Sequence, residues 1–466
     1  MIDNQIDSQD RRLIGAGTLF FIMMALSAIA VSWYFFPHPF IGLAIALIPL
    51  ALLFTVRMLF WFMLLFVVFS FFRIHEVFPF LIPLKLPLLF SLGALSSICW
   101  HLFISRSLNV YWHPSMTWLL LFWIVVVSSI VFASNRGVAI TSFQSIYWKI
   151  MVMTLAIIWI VTDKKYLAKT CWVIIISGAL VSMVALYNTT MGIGLVEGSR
   201  VTIGRAIGSV LGDPNDLALV LLFPMGFSVS VILSSHISIQ WRTLATITTL
   251  CLTLAIIATQ SRGGLLGMLT VYAYFCSQVI RSKLVLVTLG VLGAALLYAA
   301  AGISGRASGG AAEAGIDASA MGRLYAWEAA AKMALDNPLF GVGLDNFYFN
   351  YFYYSAHWDG LNHAVHSTWF GVLAETGFLG LFLFIGLIIS LLKAAHSTIV
   401  KLNTTPGCNP EDTHSNQHGY LLTCAKAVFA GLLGTIVSGT FLTQGFVWPI
   451  YILAALTVSV SKIAQN

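Results

Sequence analysis

The sequence predicts an all-α protein, a polytopic transmembrane bundle of twelve to fourteen spans, with one long outer loop that itself contains helix. Three observations predict it. The 466 residues are 59% hydrophobic and only 9% charged, and the mean hydropathy of +0.92 lies outside soluble composition. The apolar stretches run for about 17 to 25 residues, the length an α-helix needs to cross about 30 Å of hydrocarbon, where barrel strands would alternate over about 10. The basic residues between the stretches also alternate in a way that one membrane orientation explains.

Hydropathy places spans near 13–35, 40–56, 58–72, 84–104, 116–133, 146–162, 167–190, 215–234, 243–260, 263–280, 284–302, 367–392, 420–440 and 446–462. The second and third are short and flank a lone Arg57, so they read equally as one re-entrant pair. The polar N-terminus precedes an apolar run without a small-residue cleavage site, which reads as a retained first helix. A cytoplasmic N-terminus puts Arg11, Arg12, Arg57, Arg106, Lys164, Lys165, Arg242, Arg281, Lys283, Lys393 and Lys401 on the inner side, as the positive-inside rule requires. The chain then divides into N-terminal helices (1–190), central helices with outer-face arginines (191–302), a long outer loop (303–366) and C-terminal helices (367–466). That loop opens with a Gly/Ala/Ser-rich tract and becomes an Ala-rich helical segment that Asn337-Pro338 ends.

The net charge of +7 includes no basic run of the kind a nucleic-acid surface needs, so nucleic acid is not the partner. The six cysteines, Cys99, Cys171, Cys251, Cys276, Cys408 and Cys424, include no Cys-x-x-Cys and give no readable disulfide framework. Cys408-x5-His414-x3-His418-x5-Cys424 contains one true zinc-ligand spacing but lacks the paired-cysteine half, so no metal is expected there. Gly341-Val342-Gly343 lacks both the third glycine and the strand-turn-helix setting of a dinucleotide fold.

The chemistry gathers on the outer face. Arg73, Arg136, Arg200, Arg205, Arg262, Arg306 and Arg323 lie there with few lysines, a bias toward planar, bidentate recognition of phosphate or carboxylate. Arg73, Arg136 and Arg306 read as solvated loop charges. Arg262, in Thr-Gln-Ser-Arg-Gly-Gly, is wedged between two apolar runs, and a cation at the membrane edge needs an anionic partner. Arg205 precedes a Gly-rich turn whose Asp213-Pro-Asn-Asp reads as a helix N-cap, and free N–H groups beside an arginine suit an anion. His363 and His366 lie where the outer loop enters a span, and would share a face if that helix starts early. A histidine there suits general-base work on a hydroxyl, against the plainer role of cap or hydrogen-bond partner. Glu375 falls nine residues past His366, deep enough to require pairing or protonation.

Over roughly residues 200–390 the order of these signals resembles the bacterial O-antigen ligase family. The resemblance rests on Arg205 before Pro214-Asn215, then Thr-Gln-Ser-Arg262-Gly-Gly, then Arg323 with Trp327, Asn337-Pro338-Leu339 and Gly341-Val342-Gly343. It closes with His366 and Glu375-Thr376-Gly377, and Ser367 stands where the family motif usually has Asn. The resemblance implies a metal-independent glycosyltransferase without cofactors, held in the bacterial inner membrane with its long loop and active site facing the periplasm. It would take a glycan from undecaprenyl pyrophosphate and join it to a hydroxyl of lipid A-core, another glycan or a protein. The matching positions would make Arg205 and Arg262 the pyrophosphate binders, Arg323 a secondary phosphate or glycan contact, and His366 the base that activates the acceptor. Ligation to lipid A-core is the favoured reading, with O-polysaccharide polymerase and protein O-oligosaccharyltransferase as alternatives that share the same core. A secondary transporter is the competing class, but transporters carry ionisable residues near the midplane, whereas here they gather at the outer surface.

Overall fold

The computed structural model describes residues 23–24, 26–31, 33–35, 39–300, 318–404 and 413–465. Arg306, Cys408 and nearly all of the Gly/Ala/Ser-rich tract lie outside the described residues. Among the described residues there is no strand, only an isolated bridge between Val196 and Arg200. The chain divides into two compact units, Met1–Met63 with Leu88–Leu108, and Leu64–Pro87 with Asn109–Asn466.

The chain enters through α1 (Pro39–Arg57), α2 (Leu59–Val67, continued by a π-turn over Val68–Phe72), the one-turn α3 (Ile74–Val77) and α4 (Leu86–Cys99). The segments Leu50–Arg57 and Leu59–Phe72 meet at a bend of 75°, so the paired reading of these short stretches agrees with the structure. In the first unit, the carbonyls freed at the end of α1 find partners: Ser97 Oγ donates to Thr55 O at 2.6 Å, and His101 Nε2 lies 2.9 Å from Val56 O.

The second unit continues with α5 (Pro114–Val131), α6 (Arg136–Ser142), α7 (Trp148–Ile160), α8 (Lys164–Met191), α9 (Pro214–Ile232), α10 (Ile239–Thr259), α11 (Arg262–Val279) and α12 (Lys283–Ala300). It ends with α13 (Ala318–Asp336), α14 (Phe347–Tyr354), α15 (Thr368–Thr404), α16 (Thr413–Gly439) and α17 (Trp448–Ile463). Eight helices among the described residues are long and apolar enough to cross a membrane, or nine if the bent pair is one span. This makes the chain a multi-pass membrane protein. Among the described residues the count stops short of twelve to fourteen; much of the first expected span, 13–35, lies outside them, and other apolar stretches form helices shorter than a full span. The helices Leu26–Phe35, Lys283–Ala295 and Trp448–Ile463 are short. The stretch expected near 263–280 is α11, which begins on an arginine and two glycines and ends in Ser-Gln-Val. The long loop holds α13 where helix was expected, and a second helix, α14, that was not.

At the centre stands α9, with 83% of its span buried, packed against α8, α10, α11 and α16. Without a hydrophobic force between helices inside lipid, close packing of small residues holds such a bundle together. A Cβ on Gly267 of α11 would come 3.0 Å from Gly434 O and 2.5 Å from Leu222, and one on Gly264 would come 2.6 Å from Ala218. The Arg-Gly-Gly-x-x-Gly run is therefore also a packing motif that seats α11 against α9 and α16. On the other side of the core, the thiols of Cys171 and Cys424 meet at 3.3 Å, a proximity their spacing gave no reason to expect.

The 37-residue α15 is broken at Gly377, whose φ of 68° and ψ of −171° are non-helical. The break is satisfied by the segment after α13. Val342 N donates to Ala374 O (2.8 Å), Gly343 N to Glu375 O (3.2 Å) and Phe378 N to Pro338 O (2.8 Å). Gly341 and Gly377 have no room for a side chain: a Cβ would lie 2.3 Å from Ala374 O and 2.5 Å from Pro338 O respectively. Gly341→Ala is expected to cost about 2–4 kcal/mol, combining left-handed strain with overpacking. Its check is thermal melting in detergent, where a midpoint equal to wild type would contradict this account.

Candidate active site

The site forms where the C-terminal ends of α8 and α10 meet the N-terminal ends of α9, α11 and α15. Asp213 opens α9 as its N-cap, with Oδ1 accepting from Asn215 N at 2.7 Å and Asp216 N at 3.4 Å, as the Asp-Pro-Asn-Asp signal anticipates. Ser261 opens α11 in the same way, accepting from Gly264 N at 3.3 Å, so Arg262 is the first residue of its helix. One atom ties the two caps together. Asn215 Oδ1 accepts from Ser261 Oγ at 2.9 Å and from Arg200 Nη2 at 3.3 Å. Two helix N-termini with their partial positive charge thus open beside one another, a setting that favours an anion.

The guanidiniums around this opening differ in how firmly they are held. Arg200, which the sequence offered only as one of many outer arginines, has a side chain 11% exposed and donates from Nε to Thr259 O at 3.2 Å. Burial lowers its pKa; Glu197 and Asp213 oppose that, and Arg262 reinforces it. Arg200 and Arg262 therefore lie within electrostatic reach of each other, and two cations at such separation are stabilised by a shared anion. Arg205 is exposed on a short 3₁₀ turn and donates from Nη1 to Gly212 O at 3.3 Å.

His366 comes from the opposite side. It does not share a helical face with His363, as an early helix start would require: α15 begins at Thr368, and His366 sits before it in the left-handed region at φ 45°. Such a backbone in a non-glycine residue costs about 1–3 kcal/mol and persists only where its surroundings hold it. Here both flanks are held. Trp327 Nε1 donates to Val365 O at 3.1 Å, while Thr368 Oγ1 donates to Leu442 O at 2.7 Å and accepts from Gln444 N at 2.9 Å. Between them, Ser367 Oγ is buried without a hydrogen-bond partner.

The constraint brings the imidazole of His366 into the field of Arg323, Asp213, His363 and Arg200. Burial lowers its pKa, with Arg323 adding to the effect and Asp213 opposing it. The ring is thus kept neutral, the form a general base requires. Arg323 reaches the site from α13, its guanidinium 5.9 Å from the centre of the Phe441 ring. That helix is placed by its alanine face. Ala326, Ala329, Ala330 and Met333 form a buried cluster with Val342, Tyr351, Val365 and Ala374, and Trp327 stacks on Phe370 at 5.1 Å.

The structure brings Arg200, Arg205, Arg262, Arg323 and His366 to one end of the bundle, and places two other sequence-derived residues differently. His363 is half exposed and lies 3.0 Å from both carboxylate oxygens of Asp359. Glu375 is buried at the Gly377 break and accepts from Asp345 N at 2.8 Å and from the Phe347 N–H. Pairing or protonation was expected for it, and its partners are backbone groups of the 338–347 segment. Arg73, which the sequence reads as a solvated loop charge, pairs with Glu76 and lies near the start of α9. The single useful signal was the polar Arg-Ile-His-Glu run between apolar segments. Among the described residues no three His, Cys, Asp or Glu side chains are gathered as a metal-binding group would be.

Residues 247–385 match the family model described as O-antigen ligase. Arg262, Arg323, His363, His366 and Glu375 fall inside the matched segment, and Arg73, Arg200 and Arg205 precede it. No curated protein matches the chain. Over residues 247–385 the chain is therefore similar to the O-antigen ligase family, a likeness that supports glycan transfer of the ligase or polymerase type.

Proposed function

We propose that the protein transfers a glycan from undecaprenyl pyrophosphate to an acceptor hydroxyl on the periplasmic face of the bacterial inner membrane, with lipid A-core as the acceptor. The observation that carries this reading is that His366, held in a left-handed backbone, stands within electrostatic reach of Arg200 and Arg323, beside the adjoining N-termini of α9 and α11 that Asn215, Ser261 and Arg200 tie together. Arg205 and Arg262 hold the donor pyrophosphate, and Arg323 contacts a phosphate or the glycan. His366 takes the proton of the acceptor hydroxyl as its oxygen attacks the anomeric carbon; the bond to the pyrophosphate breaks, and the departing negative charge is met by the guanidiniums. Guanidiniums suit this because they stay charged and match phosphate oxygens two at a time. Their position beside membrane-spanning helices lets the polyprenyl tail remain in lipid. No cofactor is invoked, and chemistry rests on positioning and charge.

The test is in-gel detection of glycan on lipid A-core in cells that lack their own ligase and supply a compatible donor. Laddering restored by the wild-type protein is expected. No laddering, with insertion in the membrane verified, would overturn ligation to lipid A-core and turn attention to glycan polymerisation or protein acceptors.

A further inference from the structure

A side-chain hydrogen bond ties the Arg205 turn to α3. The turn runs from Gly204 to Gly212 with Gly204 and Gly208 both left-handed (φ 67° and 68°), and Arg205, Ala206, Ile207 and Gly208 are exposed. Backbone of this kind is adaptable unless something outside it holds it. Ser209, the residue after the second glycine, donates its hydroxyl to Glu76 Oε2, while its Oγ accepts from Leu211 N at 3.0 Å. The other Glu76 oxygen is paired with Arg73, and His75 Nε2 stands 3.7 Å away. The carboxylate is 12% exposed, so it is largely dry and its partners are held firmly.

The far side of this contact is rigid. Phe71 and Phe72, just ahead of α3, pack on Phe223 of the central α9 with ring centres 5.0 and 6.3 Å apart, and Ile74 and Val77 are buried. Arg73, just ahead of α3, lies within electrostatic reach of Asp216 in the first turn of α9, so the contacts of this segment fall on the C-terminal side of Arg205. Resting on the reading of Arg205 as a donor ligand, we propose that Glu76, acting through Ser209, is a positioning residue that holds the Arg205 turn in the conformation that receives the pyrophosphate. Arg73 orients Glu76 for that contact.

The experiment measures binding of undecaprenyl pyrophosphate to the purified full-length protein in detergent, for wild type, Arg205→Ala, Ser209→Ala, Ser209→Thr, Glu76→Gln and the double variant Ser209→Ala/Arg205→Ala. Loss of a hydrogen bond to a charged group predicts about tenfold weaker binding for Ser209→Ala. Ser209→Thr, which keeps the hydroxyl, should bind like wild type, and the double variant should bind no more weakly than Arg205→Ala alone. Ser209→Ala and Glu76→Gln both binding like wild type while Arg205→Ala does not would overturn the positioning role and leave the donor reading intact. Additive losses in the double variant would also overturn it, since Ser209 would then act independently of Arg205. Wild-type binding by Arg205→Ala would remove the donor reading and the positioning role with it. Because Ser209→Ala removes only an oxygen atom, the test does not depend on whether Glu76→Gln accumulates.

Discussion

His366→Ala is expected to lower glycan transfer by about two to four orders of magnitude, the usual contribution of a positioned general base, with the protein still inserted in the membrane. The expectation rests on geometry before titration. The left-handed backbone at His366 is held on one side by Trp327 and on the other by Thr368, so the ring is fixed in place before any titration. Titration adds a second readout. Burial together with Arg323 and Arg200 holds the His366 pKa below the ordinary 6.5, with Asp213 opposing. The base works in its neutral form, so activity is full at neutral pH and is lost as pH falls through that lowered value. Arg323→Ala removes one of the positive charges and should move the acid limb of the kcat/KM profile upward, toward 6.5. A limb that stays in place, or His366→Ala with turnover close to wild type, would remove the histidine from the chemistry.

Arg262→Ala is the second large effect, with transfer expected to fall by about two to three orders of magnitude, the scale seen when a group that stabilises developing charge is removed. Arg262→Lys keeps the charge but not the planar fork and should recover only part of that loss. The seat of Arg262 makes the comparison clean. Ser261 caps α11 through Oγ, and Gly263, Gly264 and Gly267 pack against neighbouring helices, so the variant keeps the cap and the packing glycines of the helix. The check is turnover at matched protein levels, with glycan on the acceptor measured over time. Preserved turnover in Arg262→Ala would sink the pyrophosphate role.

Much of this was legible in the residues themselves. The run of apolar stretches determined an all-helical, multi-pass protein, because an unpaired backbone in hydrocarbon leaves few alternatives to the helix. Asp213-Pro-Asn-Asp announced a helix start, since capping is a local hydrogen-bond requirement that four residues satisfy among themselves. The Ala-rich segment announced α13 for an equally local reason. Arg262 stood out because a cation at the membrane edge is costly unless paired, Arg205 because it precedes a capped helix start and His366 because it lies where the outer loop enters a span, while the role of Arg323 was implied only by the resemblance.

Only the tertiary structure decided how those residues combine. The end of Asn215 that links the caps of α9 and α11 joins positions 46 residues apart, and Ser209 meets Glu76 across 133 residues. No local preference specifies such a meeting. It follows from how the helices pack, and packing is set by the summed shapes of side chains on several elements at once. The same reason explains the two residues whose places differ from their sequence setting. Backbone N–H groups of Asp345 and Phe347 engage the Glu375 carboxylate at the break in α15, and the start of α15 at Thr368 rather than earlier parts His363 from His366. The chain by itself determined which kinds of groups are present and that they sit in a membrane. Packing decided which of them face one another, because a side chain's neighbours across space are set by the whole bundle and not by its neighbours in sequence.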